Sequence, residues 1–168
     1  MINYIYKYIK GVIKLPKGTG KLIAQNKKAR HEYYIEDTYE AGLVLQGTEI
    51  KSIRLGKVSI NDAYAHIEHN QAYIYNMHIT QYEFGTKSNH EPTRTRKLLL
   101  NKKEIITLHQ KQKEQGYTIV PLKLYFSGQL LKVEIALAKG RKNYDKREYL
   151  KERDSQERIK KQLKYYNK

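Results

Sequence analysis

Two neighbouring runs of alternating apolar residues restrict the fold of this chain more than any other feature of its sequence. Their apolar side chains recur at every second position, as Leu122, Leu124 and Phe126 in the first run and Leu131, Val133, Ile135 and Leu137 in the second. Because successive side chains of a strand point to opposite faces of a sheet, each run predicts a strand with one apolar face. The short segment Ser127-Gly128-Gln129 between them predicts a tight turn and therefore an antiparallel hairpin.

Three upstream segments carry weaker strand patterns. Residues 31–41 show a period near two, and the segments 63–68 and 72–77 flank the polar turn His69-Asn70-Gln71 at the spacing of a second hairpin. Pro121 lies inside the first of the two stronger runs. Since proline has no backbone N–H to donate to a ladder, we expect it at a sheet edge or at a bulge.

Two short helices are predicted between these strands. Residues 101–115 form the clearer one, because Asn101 and Glu104 make a capping-box pattern at its start and Gly116 follows its end. A shorter helix is expected with Thr48 as its N-cap and Gly56 as its stop. Five to seven strands with two short helices indicate a mainly β protein, and a sheet of this size avoids open edges by closing on itself. We therefore expect an OB-fold-like antiparallel β-barrel.

The charge of the chain predicts an anionic partner. It has 33 Lys and Arg residues against 17 Asp and Glu, which gives a formal net charge of +16. A charge of this size repels itself within a compact body and favours binding to nucleic acid first and to an anionic membrane surface second. The absence of cysteine from the sequence excludes disulfides and thiolate metal sites.

No pattern in the sequence predicts catalysis, a metal or a cofactor. The best metal candidate is His66-Ile67-Glu68-His69, but no third ligand cluster follows, and the outer face of a hairpin is the simpler interpretation. Gly20-Lys21 lacks the other residues of a phosphate-binding loop, since position 15 and position 22 are both leucine. We therefore predict a binding protein that is not an enzyme and has no cofactor.

Three basic groups lie next to the ends of predicted strands. We name residues 26–31 the first basic group, residues 94–97 the second and residues 139–142 the third. Each one alone is typical of a solvated face. Together, in so basic a chain, they favour a surface that follows a phosphate backbone.

The segment 139–168 differs from the rest of the chain in having little to bury. It holds twelve Lys and Arg against five Asp and Glu. The pairs Asp154–Arg158 and Glu157–Lys161 favour a helix, but an isolated helix of this kind is only marginal in water. We expect a basic tail that is disordered alone and becomes helical against a partner.

These features divide the chain into three parts, which are an extension at 1–20, an OB-like barrel at 21–142 that we expect to bind nucleic acid, and a basic C-terminal tail at 143–168. No stretch is long and apolar enough to span a membrane, and the N-terminus lacks the core of a signal peptide, so we expect a cytoplasmic protein. A UUG start codon can encode Leu15. We therefore expect the native protein to lack residues 1–14.

Seven blocks of the sequence closely resemble the SsrA-binding protein (small protein B) family of bacteria. The similarity runs in unbroken order from about Pro16 to the C-terminus. The blocks are NKKARHEY (26–33), YEAG (39–42), GTEIKSIR (47–54), NMHI (76–79), TRTRKLLL (93–100), VPLKLY (120–125) and YDKR (144–147).

The resemblance implies an OB-fold protein that binds the tRNA-like domain of transfer-messenger RNA and delivers this RNA to stalled ribosomes for trans-translation. The alternative is a general RNA chaperone, or a ribosome-associated OB-fold protein, without a dedicated RNA partner. The implied partners are transfer-messenger RNA and the small-subunit RNA of the ribosome, with a monomeric protein and no membrane.

The resemblance and the basic groups together give a set of candidate site residues. For Glu40, a structural pair with Arg30 or a nearby lysine is the alternative to RNA binding. The candidates for RNA binding are Asn26, Lys27, Lys28, Arg30, His31, Glu40, Arg94, Arg96, Lys97, Lys139, Arg141 and Lys142, and those for ribosome contacts in the tail are Tyr144, Asp145, Lys146 and Arg147.

Overall fold

The computed structural model of the protein describes residues 20–85, 89–114 and 116–166. The expectation about residues 1–14 lies outside this range. The strands are β1 (Lys21–Gln25), β2 (Tyr33–Leu43), β3 (Val58–Ser59), β4 (Tyr64–Glu68), β5 (Gln71–Tyr75), β6 (His78–Ile79), β7 (Arg96–Leu99), β8 (Tyr117–Ser127) and β9 (Leu130–Gly140). The helices are α1 (Ala29–Glu32), α2 (Gly47–Arg54), α3 (Lys102–Gln112) and α4 (Asn143–Tyr166).

Six of the strands form a closed antiparallel ring. Hydrogen-bonded neighbours follow the order β8-β4-β5-β7-β2-β9, and β9 also pairs with β8 from Leu130 to Lys139, which closes the ring. Strand β1 pairs with residues 123–126 of β8, and β3 and β6 form a separate two-stranded sheet. The prediction of a mainly β protein built on a small antiparallel barrel is confirmed.

The β8–β9 hairpin carries apolar residues on both of its faces. Most residues of the predicted alternation, such as Leu124, Val133 and Ile135, join the main core of the barrel. Leu122 was predicted on the same face but belongs to the opposite cluster, because the register shifts between Pro121 and Lys123. The opposite face forms a second, smaller cluster in which Ala136 and Ala138 pack with Ala29 of α1. Because alanine side chains are short, α1 can lie close against the outside of the barrel. This second cluster fixes the position of the first basic group.

Local signals predicted most turns and caps correctly. The side chains of Asn101 and Glu104 form the expected capping box at the start of α3. The turn of the β4–β5 hairpin has two residues with positive φ, His69 at 48° and Asn70 at 59°, as a two-residue turn of this kind requires. The register shift between Pro121 and Lys123 gives the proline its expected bulge.

The starts of α2 and β2 differ from the prediction, and α3 ends at Gln112 instead of residue 115. The N-cap of α2 is Gln46 and not Thr48, since the Gln46 side chain and Glu49 make the capping box. The strand predicted from residue 31 begins at Tyr33, because residues 29–32 form the single turn of α1. One helical turn has too few residues for a period to be read from sequence.

The predicted helix of the tail is present as α4. Every residue from 151 to 160 is exposed, so packing against the barrel does not hold this part of the helix. A helix without a buried face is marginal in water. Disorder of the tail in the free protein therefore remains a prediction, which circular dichroism of the isolated segment tests.

Candidate nucleic-acid interface

The first basic group is arranged around a buried asparagine. Asn26 is 6% exposed, its Oδ1 accepts a hydrogen bond of 3.1 Å from the Ala29 N–H, and its Nδ2 donates to the Asn61 carbonyl at 3.3 Å. These bonds hold the turn that leads into α1. The cations Lys27, Lys28 and Arg30 are exposed around it. Asn26 therefore orders the group, and the cations form its outer surface.

His31, at the end of the same group, is half-buried. Its Nε2 is buried and has no hydrogen-bond partner within the described part of the chain. Its ring centroid lies 6.1 Å from that of Tyr149 on α4. The His31 ring therefore lies beside the tail helix, and its contact with RNA stays a prediction.

The third basic group begins where β9 ends and meets the first group. Tyr33 of β2 pairs with Gly140 of β9, and the Arg141 N–H donates to the Glu32 carbonyl at 2.8 Å. Lys139 and Lys142 are exposed. The strand pairing therefore brings two groups that are more than a hundred residues apart onto one face of the barrel.

Arg141 of the third group lies between two aromatic rings. Its guanidinium carbon is 3.8 Å from the ring centroid of Tyr34 and 4.6 Å from that of Tyr149, and its Nε donates to the Tyr33 carbonyl at 3.3 Å. Both distances to the rings are within the range of a cation–π contact. Three separate elements thus meet at this one side chain.

The second basic group lies at the other end of β2, where Gly42 pairs with Leu99 of β7. Arg96 is 0% exposed, and its Nε donates to Glu49 Oε1 at 2.7 Å. Its remaining donors bind the carbonyls of Met77, Arg94 and Pro92. A side chain so enclosed cannot reach a phosphate, so the prediction of an RNA contact by Arg96 is wrong.

Arg94 joins the same carboxylate. It donates from Nε to Glu49 Oε1 at 2.9 Å and from Nη2 to Oε2 at 2.5 Å, and its side chain is 25% exposed. Burial opposes the ionisation of Glu49, but hydrogen bonds from Arg94, the Gln46 N–H and Arg96 outweigh this effect and hold its pKa below the ordinary value. Lys97, the third cation of the second group, is half-buried. Within the described ranges it forms no ion pair, unlike Arg94 and Arg96.

Glu40 lies on the outer face of the barrel beside other charged residues. It pairs with Lys132 at 3.4 Å and accepts a hydrogen bond from the Tyr125 hydroxyl. Its partner across β9 is Glu134, which pairs with Lys123 at 3.5 Å. The alternative considered for Glu40, a pair with a nearby lysine, is the arrangement in the structure.

The candidate ribosome residues occupy the first turns of α4. The Lys142 N–H donates to Asp145 Oδ2 at 3.3 Å, which caps the start of the helix. Lys146 is half-buried and Arg147 is exposed, and the backbone of Tyr144 is part of α4. The negative charge of Asp145 lies in the first turn, where the helix dipole favours it.

Sequence reasoning missed the aromatic partners of this interface. Tyr34 and Tyr149 were not singled out, because tyrosine is frequent in the chain and a stacked cation has no sequence period. Glu49 was not named as a site residue. A glutamate three residues after Gln46 has the spacing of a capping box, and this spacing was the available signal for the N-cap.

No group of three or more metal-ligating side chains occurs in the described ranges. His66, from the best metal candidate, is instead hydrogen-bonded through its ring to Gln112 of α3. In the same described part of the chain, no helix is long and apolar enough to cross a membrane.

Known bacterial proteins are similar in sequence to this chain along most of its length. The SsrA-binding protein of Geobacillus thermodenitrificans (strain NG80-2) is 59% identical over 145 residues, which cover 86% of this chain and 94% of that protein. The SsrA-binding protein of Bacillus cereus (strain G9842) is 58% identical with the same coverage.

A solved structure described as "tmRNA-SmpB: a journey to the center of the bacterial ribosome" is similar in fold as well as sequence. It is 46% identical, with a TM-score of 0.60, and the match covers 71% of this chain and 84% of that one. The family model for SmpB protein matches residues 23–165, from β1 to the end of α4. Barrel, basic face and tail helix all lie within that match, and the chain belongs to the SmpB protein family.

Proposed function

We propose that this protein binds the tRNA-like domain of transfer-messenger RNA and delivers that RNA to stalled ribosomes for trans-translation. The observation that carries the proposal is the meeting of the first and third basic groups beside the root of α4. Membership of the SmpB family supports the choice of RNA. The proposed role is binding and delivery in the cytoplasm, with no reaction catalysed by the protein itself.

The exposed cations of the two groups are the proposed phosphate contacts. Each one that meets a phosphate releases a counterion, which supplies affinity without reading the sequence of the RNA. Asn26 positions the cations of the first group, because its Oδ1 accepts a hydrogen bond from the Ala29 N–H and so holds the turn before α1. The proposed contacts are Lys27, Lys28, Arg30, Lys139 and Lys142.

Glu40 and Lys97 have a different place in the proposal. A carboxylate beside RNA phosphates is unfavourable, so we assign Glu40 the task of orienting Lys132, its partner at 3.4 Å. Lys97 lies at the opposite end of β2 from the first group. It is therefore a candidate for a contact outside the main basic face.

The tail is the part of the protein that we assign to the ribosome. Helix α4 begins at Asn143, directly after the third basic group, which supports a division into a barrel at 21–142 and a tail at 143–168. The cations of α4 between residues 147 and 160 are exposed, and residues 151–160 bury nothing against the barrel. Binding to ribosomal RNA supplies the free energy that orders such a segment.

A competition experiment tests the RNA partner. Labelled tRNA-like domain bound to the protein is challenged with an excess of total tRNA at fixed salt, since salt alone changes every such affinity. Retention of the label supports a dedicated partner. Displacement of the label in proportion to the excess of tRNA identifies a general RNA-binding protein instead.

A truncation separates binding from delivery. Deleting residues 145–168 leaves the barrel and both basic groups in place, so we expect the affinity for the tRNA-like domain to stay within about twofold, because each phosphate contact acts locally. Peptide tagging on stalled ribosomes should be lost. Full tagging by the truncated protein, or equal loss of tagging and RNA binding, contradicts the division of roles.

A further inference from the structure

We propose that Arg141 is a positioning residue, which sets the direction in which α4 leaves the barrel, and that it is not a phosphate contact. The guanidinium is held between the rings of Tyr34 on β2 and Tyr149 on α4, with 3.8 Å and 4.6 Å to their centroids. One ring belongs to the barrel and the other to the tail. The side chain between them therefore joins the two parts.

Both the backbone and the side chain of Arg141 donate hydrogen bonds to the barrel. Its N–H donates to the Glu32 carbonyl at 2.8 Å, and its Nε donates to the Tyr33 carbonyl at 3.3 Å. Both acceptors lie at the junction of α1 and β2. The guanidinium thus has a fixed origin on the barrel, and the Tyr149 ring packs on a cation that cannot swing away.

A second contact points to the same docking. The Tyr149 ring also lies 6.1 Å from the ring of His31, at the end of the first basic group. Helices α1 and α4 are in contact there, and Tyr149 and Leu150 are half-buried, whereas every residue from 151 to 160 is exposed. The helix is therefore attached to the barrel at its first two turns, and residues 151–160 make no buried contact with it.

Because α4 is long, the orientation of its attached end determines where its far end lies. Its 24 residues span about 36 Å at 1.5 Å per residue. A swing of about 10° at the root therefore moves the far end by about 6 Å, from the same helix geometry. A tail that has to enter a defined site on a partner needs its root held, and the Arg141 clamp between Tyr34 and Tyr149 holds it.

Lysine cannot replace arginine in this position. A guanidinium is planar and stacks on an aromatic ring through each face, whereas an ammonium is a compact charge that does not. Arg141→Lys therefore keeps the charge that a phosphate contact needs and removes the clamp. On the tail side, Tyr149→Leu removes the ring, and Tyr149→Phe keeps it as the matched control.

The first test measures the direction of α4 without any RNA. The chain has no cysteine, so Lys103→Cys on α3 and Glu148→Cys in the attached turns of α4, both at exposed positions, carry two spin labels whose separation is measured by pulsed electron resonance. We expect one narrow distance distribution in the parent protein and in Tyr149→Phe. In Arg141→Lys and Tyr149→Leu, the docked-to-undocked ratio should fall by about two- to thirtyfold, the range of a cation–π contact from exposed to desolvated sites.

The second test separates positioning from a merely structural role. It rests on the proposed function, because it compares affinity for the tRNA-like domain with peptide tagging in the same variants. We expect Tyr149→Leu and Arg141→Lys to keep RNA affinity and the urea midpoint while tagging falls, and Tyr149→Phe to keep all three.

The outcomes against the proposal are specific. A narrow distribution in Tyr149→Leu overturns the clamp, and so does a broad one in the parent protein. Broadening without loss of tagging shows that the direction of α4 is irrelevant to delivery. A loss of RNA affinity in Arg141→Ala that Arg141→Lys restores makes Arg141 a phosphate contact. Failure of the parent protein to bind RNA or to tag refutes the proposed function instead, and leaves the label distances to decide the clamp.

Discussion

The first and second basic groups look alike in the sequence and have opposite positions in the structure. Each places three cations within six residues. In the first group, Lys27, Lys28 and Arg30 are exposed on the outside of the barrel. In the second group, both arginines turn inward to one carboxylate, Glu49. The position of a cation thus depends on whether a distant element offers a buried acid, and not on the local density of charge.

The two groups also differ in what their charges cost the protein. An exposed lysine keeps its water and contributes little to stability. The buried Arg96 has lost its water, and its compensation comes from Glu49 and three backbone carbonyls. Removing one member of such a set leaves the others buried without a partner.

Glu49 is the residue whose replacement we expect to lower the free energy of unfolding most. Glu49→Gln leaves Arg96 buried without its counter-charge, and we expect a loss of about 3–5 kcal/mol in the free energy of unfolding. Urea denaturation measures it. Glu83→Gln, which removes an exposed pair with Lys57, is the matched control and should leave the urea midpoint unchanged. Equal midpoints for the two variants refute the structural role of the second group.

The exposed cations of the first group should determine how strongly RNA affinity depends on salt. Replacing Lys27, Lys28 and Arg30 by alanine should reduce the slope of log affinity against log salt by about two to three, since each phosphate contact contributes about 0.7–0.9. Alanine at Lys102, Lys103 and Lys113, three exposed lysines in or next to α3, changes the charge equally. An equal change of slope in both triple variants means that only net charge matters.

Acid should affect the second group in particular. The folded pKa of Glu49 lies below its ordinary value of 4.5, so its contribution to stability is present above that pH and is lost as the pH falls through the folded pKa. We expect the difference in unfolding free energy between the parent protein and Glu49→Gln to be constant near neutral pH and to shrink below about 4.5. A difference that stays constant down to full protonation contradicts this assignment.

The smallest expected effect concerns Glu40. Its pair with Lys132 is partly exposed, so Glu40→Ala should cost at most about 1 kcal/mol of stability while lowering affinity for the tRNA-like domain. Glu134→Ala, its cross-strand neighbour, serves as the comparison in both assays. A lower urea midpoint for Glu40→Ala with unchanged RNA affinity would make Glu40 structural only.

Features written in neighbouring residues were predictable, and features that join distant residues were not. The Asn101–Glu104 capping box and the β8–β9 hairpin depend on a few consecutive positions and were found. The Glu49–Arg96 pair spans 47 residues, so nothing in either block announces the other. The same holds for the strand order, which the sequence cannot state because pairing depends on the whole ring.

The candidate site was predicted in the same uneven way. The exposed cations of the first and third groups were named, and so was Arg141, but its contacts with two tyrosine rings were not predicted. Its two ring partners lie on separate elements, at Tyr34 and Tyr149, and only the pairing of β2 with β9 brings the first of them near. Resemblance to a family supplied the kind of partner, and it did not supply these contacts.

The double pairing of β9 has a consequence for how the protein is made. Both seams of the ring, β8–β9 and β2–β9, need this one strand. Until residues 130–140 have been synthesised, the preceding strands can form only an open sheet with unpaired backbone groups along β2. An open edge invites pairing with other chains. We therefore expect nascent chains that stop before β9 to aggregate, whereas chains that stop just after Gly140 fold, a difference that sedimentation of released nascent chains of the two lengths can measure.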